Sequence, residues 1–322
     1  MKIAIVVIGR NEGQRLVACL RSLATKQYPV VYVDSGSTDG SIQHAMSIGV
    51  QVIALDISIP FTAARARNAG LKFLNEKWPE LNYIQFLDGD CTIEEGWLGV
   101  AESFLSEHQD VAVVFGRRRE SHPYRTIYNR LCDIEWDTPL GETAACGGDA
   151  MMRISALIEV KGYRDSLIAA EDSELCLRLR EKNWKIHRVP HAMTLHDANI
   201  QRFGQWWKRT SRGGFAYAAV FALHRNSPKR IFHRELLRAL FWGFLLPFAV
   251  LAASIWHAPL LGLFVLYPLQ IARVAVRRGA GALVSWEYGI FMALAQFAEV
   301  FGVFKYIVSR LSRRETPLME YK

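Results

Sequence analysis

Charged residues are missing from one long part of this sequence, and paired cysteines are missing throughout. Between Ala239 and Ala272 there is no Asp, Glu, Lys or Arg. The five cysteines are widely spaced and form no CxxC pair, which argues against a zinc site and favours a reducing compartment. The net charge of +8 comes without an RRM, KH or zinc-finger pattern and without a long basic run. Nucleic acid is therefore the least favoured partner, behind an anionic lipid or substrate.

The uncharged segment is typical of two apolar helices joined near His257. We predict a membrane hairpin over about 239–276, although each arm is short against the roughly 20 residues that a spanning helix needs. Arg238 precedes the hairpin and Arg273 follows it, so the positive-inside rule places both ends in the cytoplasm. A buried helical core is the alternative interpretation.

A third apolar segment, over about 286–308, contains Glu287, Gln296 and Glu299. If it spanned the membrane, the basic tail that begins at Arg310 would lie outside, against the positive-inside rule. We therefore favour an interfacial helix over a spanning one. Residues 236–322 are predicted to form a region associated with the inner (cytoplasmic) membrane.

Residues 1 to about 115 alternate strand-like and helix-like segments. Apolar runs bounded by turn residues predict buried strands at 2–8, 30–34, 51–55, 83–88 and 111–115. The first run is too short for the core of a signal peptide. The βαβα order predicts an α/β fold with a mostly parallel sheet and helices on both faces, within a cytoplasmic catalytic domain spanning 1–235.

Carboxylates follow two of these predicted strands. Asp34 ends one of them, Asp88 ends another, and Asp90 comes two residues later, after Gly89. Because ligands bind beyond the carboxyl ends of the strands in open α/β sheets, we expect these acids beside a ligand crevice. Such oxygen ligands suit Mg²⁺ or Mn²⁺, which prefer one or two carboxylates plus substrate phosphates. The pattern predicts an enzyme that acts on a nucleotide diphosphate.

Five motifs together resemble those of the inverting family 2 glycosyltransferases, which have the GT-A fold. In order they are Asn11-Glu12, Asp34-Ser35-Gly36-Ser37-Thr38-Asp39-Gly40, Ala64-Arg65-Ala66-Arg67-Asn68-Ala69-Gly70, Asp88-Gly89-Asp90 and Glu171-Asp172. The resemblance covers about residues 1–215 and rests on the joint order and spacing of the motifs. It implies metal-dependent transfer of a sugar from a nucleotide-diphosphate sugar, with UDP favoured, to an acceptor hydroxyl.

The resemblance also implies roles for individual residues. It implies nucleotide binding by Glu12, Asp34, Arg65 and Asp88, metal binding by Asp90, Asp88 and His196, and general-base catalysis by Asp172 with support from Glu171. Structural alternatives stand beside these roles. Asp34 lies in a turn-forming sequence, and Glu171 and Asp172 open a helix, where acidic residues are favoured electrostatically. A lone histidine is more often structural than a metal ligand.

Three further residues are candidates for contact with the sugar or the acceptor: Gly148, Asp149 and Trp207. Trp207 lies in Gln205-Trp206-Trp207-Lys208-Arg209, an imperfect match to the QxxRW motif of processive family members, so we favour non-processive transfer. The run from Arg117 to Arg119 is interpreted as a solvated basic face, with contact to an acceptor phosphate as the alternative. Because a site beside a bilayer gains most from a substrate anchored there, the expected acceptor is a lipid or a lipid-linked saccharide.

Two rival functions remain open at this point. A sugar nucleotidyltransferase would want a glycine-rich loop with Arg and Lys after the first strand, whereas here only Gly9-Arg10-Asn11-Glu12-Gly13 stands there. A membrane-anchored scaffold that binds nucleotide without turnover is the second rival, and the intact acidic residues argue against it.

Overall fold

The described part of the chain, residues 2–23 and 27–312 of this computed structural model, forms two compact units. The division lies between Asn199 and Ile200. The sequence placed the boundary at 235 instead, because the composition changes there. The segment between these two positions is mostly a long helix that packs against other helices of the second unit.

Nine strands of the first unit form one sheet. They are β1 (Ile3–Gly9), β2 (Val30–Asp34), β3 (Gln51–Ala54), β4 (Tyr83–Asp88), β5 (Cys91–Ile93), β6 (Val111–Glu120), β7 (Gly141–Thr143), β8 (Ala150–Arg153) and β9 (Lys185–His196). Their spatial order is β3–β2–β1–β4–β8–β6–β9–β5, with β7 paired to β9.

The predicted α/β class is confirmed, and the sheet is parallel from β3 through β4. Beyond β4 it is mixed: β8 runs antiparallel to both its neighbours, and β6 and β9 are parallel to each other. The expectation of a mostly parallel sheet came from the first 115 residues, where it holds. The later strands arise from the irregular part of the sequence.

Seven helices belong to the first unit: α1 (Gln14–Ser22), α2 (Ser41–Ser47), α3 (Ala63–Lys77), α4 (Trp97–Glu107), α5 (Ile127–Glu135), α6 (Ile154–Glu159) and α7 (Glu171–Glu181). Side chains of β1 alternate between two apolar cores. Val6 packs in the core that contains Leu74 of α3, whereas Val7 packs in the core that contains Leu16 of α1. Both faces of the sheet are therefore buried, which is typical of parallel strands.

The polar ends of β2 and β4 lie on either side of β1. In the parallel register, Gly9 of β1 is level with Asp34, and Ile8 is level with Asp88. The two carboxylates thus flank the same strand end, at the place where the sequence predicted a ligand crevice.

The second unit is helical. It consists of α8 (Phe203–Leu223), α9 (His233–Leu240), a π-helical turn (Phe241–Leu245), α10 (Leu246–Ser254), a 3₁₀ helix (Ala258–Val265), α11 (Leu266–Arg277) and α12 (Leu283–Ser312). Three stretches are long and apolar enough to cross a membrane: His233–Ser254, Ala258–Arg277 and Leu283–Ser312. The first two overlap the segment predicted as a hairpin, whose placement in a membrane stays a prediction. The π-helical turn precedes Pro247, which lacks the N–H that would continue a regular α-helix.

Glycines let the helices of this unit approach one another backbone to backbone. A methyl group at Gly302 of α12 would overlap the carbonyl oxygen of Ser211 on α8, and one at Gly214 of α8 would overlap the backbone of Glu299. A methyl group at Gly243 would likewise overlap the backbone of Gln296. Helix α12 therefore contacts both α8 and the π-helical turn at points that admit no side chain.

Two polar residues of the third apolar stretch, Leu283–Ser312, do not lie on its exposed surface. Gln296 and Glu299 are both buried and both contact Arg238 of α9. They therefore do not by themselves argue against a span, and the choice between an interfacial and a spanning α12 stays a prediction. Of the predicted basic tail, Arg310 lies in the last turn of α12, while Arg313 and Arg314 lie outside the described residues.

Candidate active site

Arg67 lies at the centre of a cluster of carboxylates. It lies on the buried side of α3. Thr62 caps the first turn of this helix, and its hydroxyl accepts a hydrogen bond from the Arg65 N–H at 3.0 Å. Only 2% of the Arg67 side chain is exposed. A buried guanidinium needs charged partners, so the position of this residue predicts acids around it.

Three carboxylates supply those partners. Nη2 of Arg67 donates to Oδ1 of Asp88 at 2.9 Å, and Nη1 donates to Oε1 of Glu171 at 2.7 Å. Oδ1 of Asp172 lies 3.3 Å from the same Nη1. One guanidinium thus joins the end of β4 to the start of α7, and it gathers residues that are more than 80 positions apart in the sequence.

The acids of this cluster differ in their ionisation. Burial raises the pKa of Asp172 to about 7; nearby Arg67 opposes the rise, while the Glu171 and Asp88 charges add to it. Burial also disfavours ionisation of Asp88, but Arg67 and Arg118 together hold its pKa below the usual value. The site therefore contains one carboxylate that is charged at neutral pH and one that exchanges a proton there.

Arg118 on β6 forms a second ion-pair cluster. Its Nη2 lies 2.8 Å from Oδ2 of Asp149 and 3.5 Å from Oδ2 of Asp88. Asp149 is fully buried; its Oδ2 also accepts from the Thr194 hydroxyl at 2.9 Å, and its Oδ1 accepts from the backbone N–H of Asp88 at 3.0 Å. The interpretation of Arg118 as part of a solvated face is wrong, whereas the neighbouring Arg119 is exposed as expected.

The local shape of the sheet explains the position of Arg118. The register between β6 and β9 shifts on both sides of Arg117, so that Arg118 lies level with Thr194. An irregularity of this kind re-aims side chains at the end of a strand. As a result, Arg118 meets Asp149 and Asp88 instead of water.

Asp90 and His196 form the third part of the site. Oδ2 of Asp90 lies 3.2 Å from Nε2 of His196, and both side chains are buried. They come together because Cys91 on β5 pairs with His196 on β9 in the antiparallel register. One potential ligand atom from each of Asp90, Cys91 and His196 lies within 4.8 Å of the others, as do those of Asp88, Cys91 and Asp149.

Gly148 leaves room for the contact between Arg67 and Asp88. A methyl group there would overlap Nη2 of Arg67 and would lie 2.9 Å from Oδ2 of Asp88. At Gly147, by contrast, the nearest atom to such a methyl group is 4.0 Å away. The sequence predicted that Gly148 contacts sugar or acceptor; the structure gives it a distinct task, which is to let the backbone pass against the charged cluster.

Hydrogen bonds join the loop after β1 to the loop after β2, at the same edge of the sheet. Oδ1 of Asn11 accepts from the Thr38 N–H at 2.7 Å, and the Asn11 N–H donates to the Ser37 hydroxyl at 2.9 Å. Asp39 accepts from the N–H groups of Gly13 and of Ser41, the first residue of α2. These bonds fix the segments expected to surround the nucleotide.

Asp34 and Glu12 have local partners within these loops. Asp34 is fully buried and accepts from the Tyr32 hydroxyl and from the N–H groups of Gly36 and Ser37. Glu12 lies 2.7 Å from Arg15. Asp34 therefore shapes its own turn, and nucleotide binding by it and by Glu12 stays a prediction.

Arg65 lies apart from the charged cluster. Its guanidinium donates to the carbonyl oxygens of Asp56 and Ile59, each at 2.8 Å. It thereby holds the exposed loop between β3 and α3, and its role in nucleotide binding stays a prediction. The nearby Asn68 bonds both the backbone of Tyr163 and the side chain of Asp165.

The structure thus gathers most of the predicted residues at one sheet edge. Asp88, Asp149, Glu171 and Asp172 are linked through Arg67 and Arg118, and the charge of Asp90 acts on the ionisation of Asp88. Trp207 lies on α8 in the second unit, so its predicted contact with substrate stays a prediction.

The sequence analysis gave no central role to Arg67 and Arg118. Arg67 could have been found from its spacing: Ala64, Ala66, Gly70, Leu71 and Leu74 mark the buried side of α3, and Arg67 lies on that side. For Arg118, no sequence signal reveals the register shift that turns it towards the site.

With this geometry established, the chain can be compared with known proteins. Residues 4–159 match the family described as glycosyl transferase family 2. This range contains the end of β1, the Asp88-Gly89-Asp90 motif and Gly148-Asp149, but not α7 with its two acids.

Two curated relatives extend beyond that range. The chain is 23% identical over 243 residues to glycosyltransferase AglE of Haloferax volcanii, which covers 71% of this chain and 77% of AglE. It is 27% identical over 241 residues to the pre-mycofactocin glycosyltransferase of Mycobacterium tuberculosis, covering 69% of this chain. The chain spans only 48% of the length of that second relative.

Solved structures agree on the fold. A mannosyltransferase of Pyrobaculum calidifontis, in complex with GDP-Man and Mn²⁺, superposes with a TM-score of 0.66 at 18% identity and covers 95% of this chain and 87% of its own. The S. aureus TarS fragment in complex with UDP gives a TM-score of 0.52 at 15% identity, covering 98% and 92%. Taken with the family match over residues 4–159 and the curated relatives, the sheet and its motifs make this chain a glycosyltransferase with a GT-A-like fold, similar to family 2 over that range.

Proposed function

We propose that the chain transfers a sugar from a nucleotide-diphosphate sugar to an acceptor hydroxyl, in one displacement that inverts the anomeric carbon. The observation that carries this proposal is Asp172, a carboxyl group with a pKa of about 7 that shares the Arg67 guanidinium with Asp88. A general base works best when its pKa lies near the working pH. A direct displacement needs one such base and no covalent intermediate on the enzyme.

Asp172 is a better candidate for this base than Glu171. The Glu171 carboxylate is buried and bonded to Arg67 at 2.7 Å, so it serves to hold that guanidinium in place. Asp172 contacts Arg67 at the longer distance of 3.3 Å, and 15% of its side chain is exposed. It is therefore the acid of this pair that an acceptor hydroxyl can reach.

The donor set beside Asp88 fits a divalent cation. Cys91 lies beside these acids, but Mg²⁺ and Mn²⁺ prefer oxygen ligands to a soft thiolate, so Cys91 is a poor ligand for either ion. Asp90, His196 and Asp88 would then hold the ion, through the carboxylate and imidazole groups that Mn²⁺ accepts. Mg²⁺ would use the carboxylates alone. Such an ion would neutralise negative charge on the leaving diphosphate.

The nucleotide is proposed to bind along the loops that Asn11 ties together, next to Asp88. Supporting this, one neighbouring structure holds GDP-Man with Mn²⁺ and another holds UDP. These two ligands have different bases, so the preference for UDP stays a prediction. Glu12, Asp34 and Arg65 are the residues proposed to select the base and ribose.

The acceptor is proposed to be a lipid or a lipid-linked saccharide, used on the cytoplasmic side of the inner membrane. Three helices of suitable length and the arginines at both ends of the hairpin support this placement. Transfer of single sugars is proposed because Lys208 and Arg209 depart from the QxxRW motif of processive enzymes.

The variant Asp172→Asn tests the proposed base. We expect its rate of sugar transfer to fall about 10³-fold, while its affinity for nucleoside diphosphate stays within about threefold of wild type. The assay follows release of free diphosphate from a nucleotide sugar with Mn²⁺, and nucleotide affinity is measured by calorimetry. Glu181→Gln, at the far end of the same helix, is the matched control. Unchanged turnover in Asp172→Asn would refute the assignment.

A further inference from the structure

The helical unit contains a cavity of about 210 Å³ that the transfer reaction does not use. Its walls come from α9, the π-helical turn, α11 and α12. The lining includes the polar side chains of Arg238, Gln270, Tyr288 and Gln296. A polar cavity among apolar helices marks a functional site, since ionisable groups are costly in such surroundings.

Arg238 is the charged group of the lining. Its Nε donates to Oε1 of Gln296 at 3.2 Å, and its Nη2 lies 3.5 Å from Oε2 of Glu299. These contacts fasten α9 to α12. They do not bury the arginine, however, because 48% of its side chain stays exposed. The guanidinium thus has surface left for a ligand.

The surroundings of the cavity are more basic than this one ion pair suggests. Arg278 lies with its guanidinium carbon 4.5 Å above the ring of Tyr288, which lines the cavity. Arg278 thus adds a positive charge next to one residue of the lining. Gln270 makes no side-chain hydrogen bond within the described ranges 2–23 and 27–312, so its amide is available as a donor.

We propose that this cavity binds the phosphate group of a lipid, with Arg238 as the principal contact. A guanidinium presents parallel N–H donors that match phosphate oxygens, and basic pockets between apolar helices suit anionic lipid head groups. Beside this cation, the Gln270 amide supplies a further donor to a phosphate oxygen. The inference rests on the proposed membrane placement of the helices but not on the transfer reaction.

Lipid retention by the purified full-length protein tests the proposal. The protein is incubated in detergent with equal amounts of phosphatidylglycerol and phosphatidylcholine, and bound lipids are counted by native mass spectrometry. We expect wild type to retain phosphatidylglycerol preferentially and Arg238→Gln to retain at least tenfold less. Arg234→Gln, an exposed arginine on the same helix that does not line the cavity, should change retention less than twofold. Equal retention in all three proteins would overturn the proposal.

A second variant covers the case in which Arg238→Gln fails to fold. Ala293→Leu places a larger side chain in the cavity and leaves Arg238 with its partners, so we expect the same loss of phosphatidylglycerol. Retention equal to wild type in Ala293→Leu would overturn the proposal. Hydrolysis of nucleotide sugar should stay within twofold in every variant, which separates this proposal from the proposed reaction.

A competing arm identifies the source of the phosphate. A polyprenyl phosphate is added to protein that already carries phosphatidylglycerol. Its displacement of phosphatidylglycerol from wild type, together with its failure to bind Ala293→Leu, would identify a lipid-linked substrate as the occupant. Retention of phosphatidylglycerol against it would identify a membrane phospholipid. If neither lipid bound through Arg238, the site would not be a phosphate site.

Discussion

Each unit is stabilised internally by a different kind of close contact. In the sheet unit, buried charges meet: Arg67 and Arg118 are each surrounded by carboxylates. In the helical unit, backbones meet, because Gly214 and Gly302 let α8 and α12 touch. The first kind of contact depends on charge and hydrogen-bond geometry, and the second depends on the absence of a side chain.

This difference teaches where each unit is vulnerable. Removal of a charge leaves its partners buried without compensation, which costs more than the ion pair contributed. Addition of a methyl group to a closely packed glycine forces backbones apart, whatever its chemistry. Substitutions that change charge should therefore damage the sheet unit, and substitutions that change size should damage the helical unit.

The largest effect is expected from Arg67→Met, which keeps the apolar stem and removes the charge. Three carboxylates lose their common partner, so we expect the free energy of unfolding of the sheet unit to fall by about 3–5 kcal/mol. Denaturant unfolding followed by circular dichroism measures it. Arg65→Met, which removes only bonds to backbone carbonyls of a loop, should cost about 1 kcal/mol. Equal losses of unfolding free energy in the two variants would contradict the special dependence of the sheet unit on its buried charges.

A smaller effect, on activity, is expected from Gly148→Ala. The added methyl group overlaps Nη2 of Arg67 and crowds Asp88, so the acids at the site shift. We expect kcat/KM for sugar transfer to fall about 10²-fold, the order of loss caused by a displacement of about 1 Å in an active site. Gly147→Ala has open space and should stay near wild type. Full activity in Gly148→Ala would show that the cluster tolerates displacement.

In the helical unit, Gly302→Ala is the corresponding change of size. Its methyl group overlaps the carbonyl oxygen of Ser211, and we expect a loss of about 1–3 kcal/mol in the free energy of unfolding of this unit. Gly262→Ala, with no neighbouring atom within 4 Å, serves as the control. Thermal unfolding in detergent compares the two. Identical melting temperatures would mean that α8 and α12 separate at little cost.

The smallest expected effect is a pH dependence, which tests the role of charge in the sheet unit. Because the pKa of Asp172 is raised from 3.8 to about 7 and the base must be deprotonated, kcat/KM should fall about tenfold per unit below pH 7 and level off above it. The folded protein also binds this proton more tightly than the unfolded chain. Its contribution to stability should therefore decline as the pH rises from about 4 to about 7. A flat rate profile from pH 5 to 8 at saturating Mn²⁺ would contradict the raised pKa.

The sequence was sufficient for the part of the fold that follows simple periodicity. The strands ending at Asp34 and Asp88 were predicted with their observed bounds, because apolar runs of that length stop at turn residues. The helix that begins at Glu171 was also predicted. These motifs lie where local patterns and the direction of the chain determine the structure.

The rest of the site depends on pairings between distant segments. The long strand β9 continues past Pro190 to His196 through an irregularity in its pairing with β6, and no periodicity in the sequence indicates that continuation. The short β5 and β8 follow turns and have too few residues for periodicity to reveal them. Without β9 and β5, the meeting of His196 with Asp90 could be suggested only by family resemblance.

The irregularity in β9 has a consequence for the length of this segment. Between the pairs Phe115–Arg188 and Arg118–Thr194, three steps along β6 match six along β9, and residues 190–192 at the middle of that stretch are exposed. Their side chains are thus replaceable, but their number is not. Because neighbouring residues in a strand point to opposite faces, deletion of any one of them would turn Thr194 and His196 away from Asp149 and Asp90.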